Sequence, residues 1–213
     1  MMNSFKLRWW CVVAVLYCLP PMLLFFQSTP TFTIADERAL QVVTQRISSG
    51  ESPALTEPLN AGAEGMLHPR SMTVIGEKIG PEGFVGLAVL SGWLIRLFDW
   101  PGVPFVALPL STVIAGYCLS RLLRRLFSNP IPEMSGVLYL ILPPVLYYSY
   151  HPYVANLLQW NFFLWALALW LQTHSTGWKL LARLGFSGLL LGIAVGVRPV
   201  ELPVVLLLEA SVW

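Results

Sequence analysis

The chain alternates long apolar runs with short polar breaks, and a single polar stretch is long. Apolar runs occupy residues 9–26, 83–98, 103–120, 135–150, 156–171 and 184–197, and another begins at 204. A helix that crosses a bilayer needs about 20 predominantly apolar residues, because in hydrocarbon every backbone donor must be satisfied within its own segment. The pattern therefore predicts an all-α fold, a multi-pass transmembrane helix bundle. One run falls short. Residues 83–98 number only 16 and include Gly83, Gly86, Gly92 and Arg96. They read better as a helix lying along the membrane surface or re-entering it.

The basic residues set the orientation. Lys6 and Arg8 precede the first run, which contains Pro20 and Pro21 and lacks a small-x-small cleavage site. It reads as a retained first helix with its amino end in the cytoplasm. If 83–98 crossed the membrane, Arg121, Arg124 and Arg125 would lie outside. If it does not, the helix 103–120 runs inward and delivers them to the cytoplasm, as the positive-inside rule requires. The helices then alternate: 135–150 outward with a kink at Pro143 and Pro144, 156–171 inward past Lys179 and Arg183, and 184–197 outward. Residues 27–102 become a long non-cytoplasmic loop with juxtamembrane helices, and the turns 148–155 and 198–203 share its side. Residues 1–213 read as one transmembrane domain, the amino-terminal part of a longer protein.

Composition sharpens this picture. Hydrophobic residues make up 56% of the chain, charged residues 11%, and mean hydropathy is +0.66; soluble domains carry about 25% charged residues. Seven of the eleven acids (Asp36, Glu37, Glu51, Glu57, Glu64, Glu77 and Glu82) fall within residues 27–82. A net charge of +2 speaks against a nucleic-acid partner. Cys11, Cys18 and Cys118 sit in apolar runs without CxxC spacing, so neither a disulfide framework nor a zinc site is expected.

Candidate chemistry concentrates in the long loop. Asp36 and Glu37 precede the helical pattern Leu40, Val43, Ile47, and at 100° per residue Asp36 projects along that apolar stripe while Glu37, Gln41 and Thr44 lie to one side. A carboxylate so placed suits general-base work. Equally, Thr33 and Asp36 can form a capping box at a helix start. His68 and Arg70 can orient a sugar or pair with a phosphate oxygen, or be solvated loop residues. His151 stands in a tyrosine-rich turn (Tyr147, Tyr148, Tyr150, Tyr153) that also reads as an interfacial aromatic belt. Arg198 closes a helix containing Gly188, Gly192 and Gly196, where it either snorkels to headgroups or holds an anionic lipid phosphate.

The order of these features resembles the GT-C superfamily of membrane glycosyltransferases, such as protein O-mannosyltransferases and lipid A aminoarabinose transferases. The resemblance lies in the early acid pair Asp36 and Glu37, in His68 and Pro69 before the surface helix, in the run Leu122, Leu123, Arg124, Arg125, Leu126, Phe127, and in the glycine-rich helix ending at Arg198 before Pro199. It implies an enzyme that moves a sugar from a polyprenyl-phosphate donor to a protein, lipid or glycan acceptor outside the cytoplasm, at the cell membrane. Asp36, then Glu37, would be the catalytic acids, and Arg198 a phosphate ligand. The resemblance implies a lipid-linked sugar as donor substrate and no definite cofactor, and is compatible with a divalent metal. Many relatives carry a second acid in the short outer loop, where this chain has His151 and Asn156; Asn156 can hydrogen-bond but cannot take a proton. The alternatives are a non-catalytic membrane assembly subunit and a lipid or solute transporter, for which intramembrane charges would be expected.

Overall fold

The apolar runs within the described residues are helical, and the contacts between them set their directions. In the computed structural model the described residues are 4–27, 35–56, 58, 71–75, 78–81, 85–128, 130–171 and 176–198. His68, Arg70, Thr33 and the run from 204 lie outside them. The helices are α1 (Ser4–Gln27), α2 (Ala35–Ser48), α3 (Gly86–Phe98), α4 (Val103–Leu123), α5 (Ile131–Ile141), α6 (Pro143–Ser149), α7 (Ala155–Trp170) and α8 (Trp178–Val197). Three of them, spanning 8–26 within α1, all of α4 and all of α8, are long and apolar enough to cross a membrane.

The kink expected at Pro143 and Pro144 is a complete break. Leu142, the residue before Pro143, is extended (φ −56°, ψ 129°), as steric conflict with the proline ring demands, so α5 ends and α6 begins anew. At 13 residues α3 is only about 20 Å long at 1.5 Å per residue, short of a bilayer core of about 30 Å.

Side-chain contacts show an up-and-down bundle. Trp10 near the start of α1 packs edge-on against Tyr117 near the end of α4, and Phe25 at the end of α1 meets Phe105 at the start of α4. The two helices are therefore antiparallel. Ser120 of α4 donates to the carbonyl of Pro132 in α5 (2.9 Å), and Ser187 of α8 to that of Ala166 in α7 (2.9 Å), so these pairs are antiparallel as well. Glycine makes the α4–α5 approach close. A Cβ on Gly136 would lie 2.6 Å from the Gly116 carbonyl oxygen.

Two apolar cores result. The larger joins Leu40 and Val43 of α2, Leu87 and Ala88 of α3, Phe105 and Leu108 of α4, Phe162 of α7, and Leu190 and Ala194 of α8. The smaller gathers Trp10, Tyr17, Val113 and Leu140. Along α1 and α8 many large apolar side chains stay exposed, Leu16, Leu189 and Trp178 among them.

The loop is less helical than its periodicity suggests. Beside α2 lies a three-stranded antiparallel sheet in the order β1 (Leu55–Thr56), β3 (Lys78–Pro81), β2 (Met72–Ile75), with Val74 opposite Ile79 and Leu55 opposite Ile79 on the other edge. Met72 and Ile79 pack against Ala39, so the sheet covers one flank of α2. The purely helical expectation is corrected here: strands of two to four residues are too short for a two-residue period to stand out.

Candidate functional site at one end of the bundle

The alternation of helices gathers the charged groups at two ends. The start of α1, the α4–α5 connection and the start of α8 bring Arg8, Arg121, Arg124, Arg125, Lys179 and Arg183 to one end, where Arg124 pairs with Glu133 at 3.0 Å. The opposite end holds α2, the sheet, the α6–α7 turn and the carboxyl end of α8.

At that second end α2 is rotated from expectation. Asp36 is exposed and accepts a hydrogen bond from Ser71 Oγ, whereas Glu37 is completely buried. Both flank the stripe made by Leu40 and Val43. Periodicity assigns a residue to a face but not to a neighbour, and the neighbour that covers the first turn here is the α6–α7 turn, on Glu37's side. Ser71 adopts a left-handed backbone (φ 66°), uncommon for a residue with a Cβ.

Glu37 Oε1 stands 2.9 Å from Nδ1 of His151 in that turn. The Tyr147 ring lies against the imidazole, centroids 4.2 Å apart. Tyr153, buried in the same turn, has its phenol pushed up to about 12 by desolvation and serves only as a neutral group. A buried carboxylate is costly unless paired, and the imidazole supplies a partner.

Arg198 and Asn156 form a second pair. An Arg198 Nη1–H donates to Asn156 Oδ1, joining the end of α8 to the start of α7. Both line a cleft of about 450 Å³ whose other walls are apolar, including Leu119, Val145, Leu157, Trp160 and Leu164, with Tyr139 and Tyr148. The guanidinium has five N–H donors, so the Asn156 contact leaves others for a ligand.

The structure thus brings Glu37 and His151 into contact, and likewise Asn156 and Arg198, while Asp36 stands beside Glu37 on the exposed side. Among the described residues no three His, Cys, Asp or Glu side chains form a metal-binding group.

Pattern reading passed over a polar network in the middle of the bundle. Tyr17 OH donates to the Leu140 carbonyl (3.1 Å) and meets Ser149 Oγ at 2.9 Å. Asn161 Nδ2 donates to Ser111 Oγ (2.8 Å) and Thr112 Oγ1 (3.0 Å), and Tyr139 OH donates to Asn161 Oδ1 (3.0 Å). It ties α1, α4, α5, α6 and α7 together two residues before His151. Isolated Asn and Ser residues inside apolar runs were the available signal.

No family model, no curated protein and no solved structure matches the chain.

Proposed function

We propose that the chain belongs to a membrane glycosyltransferase that moves a sugar from a polyprenyl-phosphate donor to a hydroxyl or amine acceptor on the non-cytoplasmic face of the cell membrane. The observation that carries this reading is one arrangement: a largely apolar cleft that runs along the bundle and has Arg198 and Asn156 where it reaches the end that holds the α2 acid pair. An isoprenoid chain fits such walls, the guanidinium fits the phosphate, and the end of the chain that bears the sugar then lies near the acids.

Asp36 is the proposed base. It is exposed, so an acceptor protein, lipid or glycan can reach it, and Ser71 orients its carboxylate. Attack of the acceptor on the anomeric carbon transfers its proton to Asp36 and releases the lipid phosphate. Arg198 offsets the charge that develops on the leaving group. A transporter reading has less support, because among the described residues the mid-bundle network is built from Tyr, Ser, Thr and Asn rather than from the charged groups that couple ions.

The test is sugar transfer by the full chain in vesicles supplied with polyprenyl-phosphate hexoses. Asp36→Asn is expected to lower transfer by about 10²- to 10⁴-fold while the protein still inserts, the usual loss for a general base. Normal transfer by the inserted variant overturns the assignment.

A further inference from the structure

Glycosyl transfer through Asp36 and Arg198 leaves the Glu37–His151 pair without a task. Neighbouring residues on a helix point about 100° apart. Asp36 can therefore face an acceptor while Glu37 turns inward to the α6–α7 turn.

Three observations bear on what His151 does there. Its Nδ1 is engaged by Glu37 at 2.9 Å, and Tyr147 packs against the ring, so its orientation is set from two sides. Its Nε2 has no hydrogen-bond partner among the described residues, and the side chain is 27% exposed. The two helices that the turn joins both line the cleft, α6 through Tyr148 and α7 through Asn156, together with Arg198, so His151 stands between two lining residues without itself being one.

We infer that His151, oriented and charge-compensated by Glu37, is a second ligand of the lipid phosphate, presenting Nε2–H to it alongside Arg198. A carboxylate that holds Nδ1–H leaves the imidazolium free to donate from Nε2, with the added charge balanced locally. The inference rests on the lipid-phosphate reading of the cleft. During transfer the bond from acceptor to anomeric carbon forms and the bond from that carbon to the phosphate oxygen breaks. The electron pair stays on that oxygen, where the His151 N–H and Arg198 meet it, and the acceptor's proton goes to Asp36. A displacement with inversion needs the base and the phosphate ligands on opposite sides of the sugar.

Farnesyl phosphate, compared with farnesol, is a suitable probe, since it needs neither the sugar nor the acceptor. The full chain in detergent is expected to bind farnesyl phosphate at least about 10-fold more tightly than farnesol, one charge-assisted contact's worth of discrimination. His151→Gln keeps an amide that can donate to Glu37 but removes the cation. It is expected to lose most of that preference, and His151→Lys to regain part of it. On the wild-type chain, carbethoxylation of His151 read by mass spectrometry should be slowed by farnesyl phosphate and not by farnesol, a readout independent of any variant's folding. A preference abolished by Arg198→Ala but untouched by His151→Gln, or unprotected His151, overturns the role of His151 and leaves the cleft reading intact. No preference in the wild type overturns both.

Discussion

The adjacent acids on α2 show what a single residue's environment decides. Both belong to one short segment rich in charge, and helical periodicity placed Asp36 on the apolar stripe. The folded chain instead buries Glu37 entirely, because the α6–α7 turn, 114 residues away in sequence, closes over that side of the first helical turn. The acid pair as a candidate site was thus legible from its position after the first helix, whereas the division of labour within it was not, since that depends on a long-range contact. His151 and Arg198 were legible as residue types at helix ends; their partners Glu37 and Asn156 were not. A stability comparison follows. Glu37→Ala removes a buried hydrogen-bonding partner and should destabilise the protein by about 1–3 kcal/mol, while Asp36→Ala, at an exposed site, should cost less than about 1 kcal/mol. Unfolding of the two variants in detergent measures both, and a larger cost for Asp36→Ala would mean that α2 is rotated the other way.

At the level of elements, run length and composition were informative and close approach was not. The runs predicted at 103–120 and 156–171 correspond to α4 and α7, and the proline pair at 143 and 144 marks where α5 gives way to α6. Short strands escaped notice because a two-residue strand such as β1 has no period to read. Glycines illustrate the limit well, because the same residue type serves opposite purposes here. A Cβ on Gly136 would meet Ser120 Oγ at 2.2 Å and the Gly116 carbonyl, whereas at Gly188 nothing lies within 4 Å. In the sequence the α8 glycines stand out only as part of a glycine-rich helix ending at Arg198. The structure shows close approach between α4 and α5 at Gly116 and Gly136, and between α3 and the end of α8, where a Cβ on Gly86 would meet the Gly196 carbonyl. Gly136→Ala is therefore expected to destabilise by about 1–3 kcal/mol through overpacking, and Gly188→Ala to be neutral or to stabilise by up to about 1 kcal/mol through helix propensity. Thermal unfolding of the pair in detergent decides, and equal effects would contradict the close α4–α5 contact.

For the whole molecule, the alternation of helices and the distribution of charge point the same way. Trp10 against Tyr117 and Phe25 against Phe105 make α1 and α4 antiparallel, so if α1 crosses outward, α4 crosses inward, and α3 between them makes no crossing. The short length of α3 agrees, as does its outer face, where Trp93 is 62% and Leu97 74% exposed, suited to the lipid interface. This arrangement collects Arg8, Arg121, Arg124, Arg125, Lys179 and Arg183 at the end opposite the acid pair, the asymmetry expected when that end faces the cytoplasm. The buried Tyr, Ser, Thr and Asn network fixes which helices are neighbours, since each of its groups would be left unsatisfied by a different pairing. In a background with Cys11, Cys18 and Cys118 replaced, a cysteine at the exposed Ser52 should react with a membrane-impermeant maleimide on intact cells. One at the exposed Gly177 should react only after permeabilisation. If residues 83–98 did cross, both positions would lie on the same side and label together. Labelling of Gly177→Cys on intact cells would therefore place the arginine-rich end outside and remove the acid pair, His151 and Arg198 from a common face with the membrane orientation that glycosyl transfer outside the cytoplasm requires.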